Sequence, residues 1–216
     1  MTWIKVCGTT NLDDALSAAD AGADAIGFVF GPSKRQVTPG TVASIVAHLP
    51  AQLEKIGVFL NEIPAQIARI VEETGLTGVQ LHGDETRQTA QLVASSTLVK
   101  VVKGIHAGSG LQSDLSNWAQ EESISALLLD SGNGSLGGGT GKVFDWDLAA
   151  EALTIVPRGI SIIVAGGLNP DNVASAIDRF HPWGVDVVSG VESKPGKKDI
   201  QKVKAFVAAV RKRPHE

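Results

Sequence analysis

Short apolar runs recur along the chain, each followed by a longer stretch whose apolar residues return every three or four positions. The runs are WIKVC, AIGFVF, KIGVFL, GVQLH, LVKVVKG, ALLLD, SIIVAGG and VDVVSG. They are rich in Val, Ile and Leu and do not alternate strictly, which predicts strands covered on both faces. The stretches between them predict helices. NLDDALSAADAG opens on Asn11 as cap and closes at Gly22, and TPGTVASIVAHL has Pro39 near its start. IPAQIARIVEETG carries Ile63, Ile67 and Ile70 on one face and ends at Gly75, and DETRQTAQLVASS has Asp84 as its cap. SDLSNWAQEE, DWDLAAEAL (capped by Asp145), NPDNVASAIDRF (Asn169 as cap, Pro170 at the first helical position) and KDIQKVKAFVAAVRK complete the series.

Strand and helix alternate through eight units of about 27 residues, beginning with a strand and ending with a helix. Alternation predicts a parallel sheet. Eight units predict its closure into an α/β fold of the (β/α)8 TIM-barrel type, with an open doubly wound sheet as the alternative. No linker, low-complexity segment or charge run divides the chain, so residues 1–216 are expected to form one domain.

Composition narrows the function classes. Hydrophobic residues make up 43% and charged residues 19%, an ordinary globular balance, and the net charge of −4 offers no general affinity for nucleic acid or an anionic membrane. The basic RKRPHE terminus reads as the solvated end of the last helix. A single cysteine, Cys7, excludes an internal disulfide. The chain enters WIKV at once, without the charged and apolar regions of a signal peptide, and no apolar stretch approaches a membrane span. A soluble, cytoplasmic protein is expected.

In such a barrel the chemistry lies where the strands end at their C-termini. Those positions hold Cys7, Arg35 in the loop after the second strand, His82, Asp130, Gly166, Gly167, Ser189 and Gly190. VAGGLNPDNV and VVSGVESKPGKKD follow strands seven and eight, where barrels often bind phosphate. Glycines there let backbone N–H groups close on an anion, and a helix N-terminus adds a favourable dipole. Helix-entry turns are the competing reading. It suits Asn169 and Pro170, but the paired loops favour phosphate.

Two other glycine patterns are discounted. GNGSLG (Gly132 to Gly137) runs on into GGTGK instead of opening a helix, and GTGK has Leu136 and Val143 where a P-loop needs Gly and Ser or Thr. Asp130 ends the most apolar strand. Desolvation at such a rim favours a protonated carboxyl, which can act as a general acid, while a loop cap explains the residue equally well. Cys7 alone reads as small-hydrophobe packing. Lys5 lies two residues earlier, points the same way, and is a candidate to assist a thiolate from inside the barrel.

Taken in order, IKVCG, GFVF with SKRQVTP, VQLHGDE, LLLDS…GGTGKVFDW, VAGGLNPDNV and GVDVVSGVES…GKKD resemble the phosphoribosylanthranilate isomerase family of tryptophan biosynthesis along nearly the whole chain. The resemblance implies an isomerase acting on N-(5′-phosphoribosyl)anthranilate. The aldose amine becomes 1-(2-carboxyphenylamino)-1-deoxyribulose 5-phosphate by an Amadori rearrangement that needs no metal or cofactor. The five histidines accordingly show no metal-ligand spacing.

By position, Asp130 is then the general acid that opens the ring and Cys7 the general base that takes the C2′ proton. Arg35 faces the anthranilate carboxylate, and Gly166, Gly167, Ser189 and Gly190 hold the phosphate. The chain departs from the family at Val188, where serine is common, and in the loop GPSKRQV. Asp186 is expected to make a structural polar contact inside the barrel. His82 and Gly83 match the family and read as the entry to a helix capped by Asp84. The partner is a small phosphoribosyl molecule, with neither nucleic acid nor membrane, and a monomer is expected with a dimer left open. Two alternatives remain: a barrel enzyme with another substrate (another sugar-phosphate isomerase, or an indole-glycerol-phosphate or tryptophan-synthase-like relative), and a non-catalytic phosphosugar-binding barrel.

Overall fold

The computed structural model describes residues 1–130, 146–157 and 159–212. Eight parallel strands close into a barrel in sequence order: β1 (Trp3–Val6), β2 (Ala25–Val29), β3 (Glu54–Phe59), β4 (Gly78–Leu81), β5 (Lys100–His106), β6 (Ala126–Asp130), β7 (Ser161–Val164) and β8 (Gly184–Val187). The last strand pairs with the first in the register Trp3↔Gly184 and Lys5↔Asp186. The helices α1 (Leu12–Asp20), α2 (Pro39–Val46), α3 (Pro64–Thr74), α4 (Arg87–Thr97), α5 (Leu111–Trp118), α6 (Trp146–Leu153), α7 (Val173–Phe180) and α8 (Ile200–Arg211) follow the strands in turn. After β8 the chain makes a short 3-10 turn (Ser189–Val191) and a small hairpin, β9 (Glu192–Lys194) with β10 (Lys197–Lys198). The expected closed barrel is therefore found, and the open sheet is not.

The strands look continuously apolar because both of their faces are buried. Ile4, Val6, Ile26, Phe28, Leu127 and Leu129 belong to the large core shared with the helices. Val102, Ala126, Leu128, Ile163 and Ala165 fill a second cluster inside the barrel. Nearer the C-terminal ends the inward positions turn polar, giving Lys5, Gln80, His82, Asp130 and Asp186, all buried. Burial of both faces hides the alternation that a half-exposed strand would show.

Several helix ends differ from the sequence expectation. Asn11 caps α1 as expected, accepting from the Asp14 N–H at 2.9 Å, and Gly75 ends α3 with φ +69°. Ile63, however, is 64% exposed and precedes Pro64 as the extended cap residue, so it does not join the buried face of Ile67 and Ile70. Asp84 does not cap α4. Thr86 does, accepting from the Thr89 N–H at 3.1 Å, while Glu85 turns inward to Lys103 and the Asp84 N–H donates to Asn61. Asn169 and Pro170 form a turn ahead of α7 and not its first residues. The Asn169 side chain accepts from the Asp171 and Asn172 N–H groups, and the helix starts at Val173. Asp145 and the glycine runs between Gly132 and Lys142 lie outside the described residues.

Candidate active site

Cys7 follows β1 directly, its N–H held by the Val187 carbonyl at 2.9 Å. Its side chain is 4% exposed and packs with Val29, Val58, Leu60 and Val188. Gly27 on β2 makes the space: a Cβ there would run into the Cys7 Sγ and come within 2.9 Å of the Lys5 Cε. Cys7 thus sits among apolar side chains and also beside a buried ammonium. Burial pushes its thiol up, Lys5 and Lys198 pull it down, Asp186 adds to the rise, and the net direction is upward.

Lys5 is buried inside the barrel. Its Nζ donates to Asp186 Oδ1 at 3.0 Å and Gln80 Oε1 at 2.7 Å. Burial alone would lower it, but Asp186 and Cys7 overcome this and hold its ammonium above the ordinary range. Asp186 is therefore the inward structural contact the strand pattern suggested. Asp130, at the end of β6, is 5% exposed, and its Oδ2 lies 3.2 Å from His82 Nε2. His82 corrects the sequence expectation. It is not part of a helix entry but points into the barrel, where Gly104 on β5 leaves room for its ring.

Arg35 reaches the same cavity and is only 8% exposed. Glu192 grips it through two hydrogen bonds, Nε to Oε1 at 2.8 Å and Nη2 to Oε2 at 2.7 Å. Those bonds raise the guanidinium's hold on its proton, and fix its plane as only a bidentate carboxylate can. Lys198 lies behind. It donates to the Cys7 carbonyl at 2.5 Å and the Val188 carbonyl at 3.3 Å, tying the ends of β1 and β8 together. Burial pulls Lys198 down, Arg35 helps, Glu192 and Cys7 oppose, and the net direction is downward.

Cys7, Arg35, Gln80, His82, Asp130 and Asp186 line one cavity. A second shares Asp130, Asp186 and Val188 with it and is walled by Gly166, Gly167 and Ser189. Gly166 and Gly167 both adopt left-handed backbone, φ +82° and +68°, a turn that side chains resist. Gly190 does not line the cavity. Its missing side chain lets the loop after β8 lie directly on the Leu168 carbonyl. The structure thus brings together the expected thiol, acid, guanidinium and glycine loops at one end of the barrel.

Sequence reasoning missed Gln80, Glu192 and Lys198 and dismissed His82. One signal was available. Gln80 is a polar residue inside an apolar run, two positions before His82 and so on the same face. Glu192 and Lys198 sit in a polar loop where nothing local marks them.

Residues 4–209 match the family model described as N-(5′phosphoribosyl)anthranilate (PRA) isomerase. The N-(5′-phosphoribosyl)anthranilate isomerase of Pelobacter propionicus is 46% identical over 96% of this chain and 94% of its own. A monomeric form of the dimeric enzyme from Thermotoga maritima superposes with a TM-score of 0.84 at 37% identity, covering 99% of this chain and 100% of that one. A phosphoribosyl anthranilate isomerase bound to reduced 1-(o-carboxyphenylamino)-1-deoxyribulose 5-phosphate gives 0.84 at 36% identity, with the same coverage.

Proposed function

The chain belongs to the N-(5′-phosphoribosyl)anthranilate isomerase family, and we propose that it isomerises that substrate with Cys7 and Asp130 as its two proton-transfer groups. The observation that carries this reading is one cavity holding both a thiol and a carboxyl, continuous with a glycine-walled recess. Asp130 protonates the furanose oxygen, and the ring opens to a Schiff base. Cys7 removes the C2′ proton, and the resulting enolamine tautomerises to the ketose amine. The positive Schiff base favours the thiolate next to it, as do Lys5 and Lys198. Backbone N–H groups at Gly166, Gly167 and Ser189 take the phosphate, with Gly190 allowing the two loops to meet. Arg35, already oriented by Glu192, offers a fixed cation to the anthranilate carboxylate.

The place in tryptophan biosynthesis and the cytoplasmic location follow from the same reading. No helix among the described residues is long and apolar enough to cross a membrane. The Thermotoga maritima relative is dimeric, so a dimer is as open for this chain as the monomer expected from its sequence.

The test follows the loss of anthranilate-adduct fluorescence with substrate generated in situ. Wild type should consume the adduct, and Cys7→Ala and Asp130→Asn should each lower kcat by about 10²- to 10⁴-fold, the usual contribution of a positioned acid or base. Because burial holds the thiol up, kcat/KM should rise with pH through neutrality as the thiolate fraction grows. Binding without turnover in wild type would return the protein to a phosphosugar-binding role. Equal rates in all three proteins would return Cys7 and Asp130 to structural roles.

A further inference from the structure

The buried polar groups inside the barrel form one hydrogen-bonded line across it. Asp186 accepts from Lys5, and Lys5 also donates to one end of the Gln80 amide at 2.7 Å. The other end of that amide lies 3.0 Å from His82 Nδ1, and His82 Nε2 lies 3.2 Å from Asp130 Oδ2. All five side chains are buried.

Such a line has a direction. An ammonium only donates, so the amide atom facing Lys5 is the oxygen. The amide nitrogen then faces His82. It too only donates, so Nδ1 is the acceptor and the ring carries its hydrogen on Nε2, aimed at Asp130. Asp130 Oδ2 is thereby engaged as an acceptor, and a proton on this carboxyl resides on Oδ1.

We propose that Gln80 is a positioning residue for the isomerisation: its amide, oriented by Lys5, fixes His82 as an Nε2–H donor and keeps the transferable proton of Asp130 on Oδ1. This rests on the reading of Asp130 as the acid. The position of the ring does not depend on Gln80. A Cβ at Gly104 would run into His82 Nδ1, so the ring is seated on the β5 backbone, and the His106 ring meets it edge-on at 5.8 Å. What Gln80 adds is the polarity of the contact. The charged or titratable groups facing His82 among the described residues are Asp130 from β6, Lys5 and Asp186 through Gln80, His106 from β5, and Cys7 across the cavity.

Glutamate at position 80 would reverse the logic with little change of shape. A carboxylate accepts from both sides, so His82 Nδ1 must then carry hydrogen. The ring becomes either an imidazolium between two carboxylates or a base whose Nε2 takes the Asp130 proton. Both outcomes withdraw that proton from the substrate. Methionine at the same position would leave the ring without a fixed polarity.

The experiment uses the full chain with ¹⁵N-labelled histidine. Long-range ¹H–¹⁵N correlation reads the tautomer of His82, whose signals are identified by their loss in His82→Gln. Wild type should show the Nε2–H form at about pH 8, where an imidazole is ordinarily neutral. Gln80→Glu should show Nδ1 protonated, with kcat lowered about 10²-fold and KM within about twofold of wild type. Gln80→Met should show both tautomers and a smaller loss of kcat. A wild-type His82 carrying its hydrogen on Nδ1 overturns the proposal without any variant, even if Gln80→Glu does not fold. So does a folded Gln80→Glu that retains the Nε2–H form, or one that changes tautomer and keeps its kcat. Asp130→Asn in the same assay separates the two ideas. If it turns over normally, the reading of Asp130 as the acid fails, while the tautomer result still reports on Gln80.

Discussion

Replacing Lys5 by methionine removes a cation that the fold buries to 1% exposure between Asp186 Oδ1 at 3.0 Å and Gln80 Oε1 at 2.7 Å. Methionine is similarly long and unbranched, so the change is chiefly one of charge. Asp186 is left as a buried carboxylate without its counter-charge, and breaking a buried pair from one side costs about 3–5 kcal/mol. That is a large share of a total stability of about 5–15 kcal/mol. At about 2–4 °C per kcal/mol for a chain of this size, Tm should fall by roughly 6–20 °C. The double variant Lys5→Met/Asp186→Leu removes both charges and should regain most of the loss, since the penalty comes from the orphaned charge.

The same substitution acts on the thiol. Lys5 is the foremost of the cations that oppose the upward push of burial on Cys7, so without it the thiol rises further. Alkylation of Cys7 by iodoacetamide near about pH 8 should slow about tenfold for each unit of that rise. Urea denaturation and the alkylation rate are the two measurements. A single variant within about 1 kcal/mol of wild type, or a double variant that loses the sum of both single losses, would refute the buried-pair argument. An unchanged alkylation rate would refute the action of Lys5 on the thiol.

Two further changes probe the rest of the site. Gly190→Ala places a methyl group against the Leu168 carbonyl and 2.9 Å from the Asn169 Cα, backbone that cannot swing aside, so the loops after β7 and β8 must part. KM should rise about tenfold and competition by inorganic phosphate should weaken with it; inhibition at the wild-type level counts against the phosphate role. Glu192→Gln loosens Arg35 and leaves the Arg35 and Lys198 charges facing one another. Burial alone would raise Glu192, but the Arg35 hydrogen bonds and the Lys198 charge overcome this and hold its carboxyl below the ordinary range. Its contribution is therefore fully present above the ordinary carboxylate value near 4.5 and fades as pH falls through the lower folded value. The variant should be about 3 kcal/mol less stable at neutral pH and converge with wild type in acid, and equal stability at neutral pH sinks the argument.

The order of elements was legible in the sequence because each carries its own local signal. Alternating apolar runs and amphipathic stretches produced the eight-unit barrel. Asn11, Pro39 and Gly75 marked helix ends by chemistry confined to a turn. The ends of the strands then pointed to Cys7, Asp130 and the glycine loops, because in this fold those ends converge on one face. What stayed hidden depends on neighbours distant along the chain. Glu192 meets Arg35 across 157 residues, and Lys5 meets Asp186 across 181. Thr86 replaces Asp84 as a cap because Glu85 is drawn inward by Lys103. His82 resembles a helix entry until the barrel closes and brings it to Asp130. The sequence by itself determined which groups exist and on which strand ends they stand. Only the tertiary structure decided which buried charge answers which, because inside a closed barrel a buried charge is partnered by strands and loops remote in sequence.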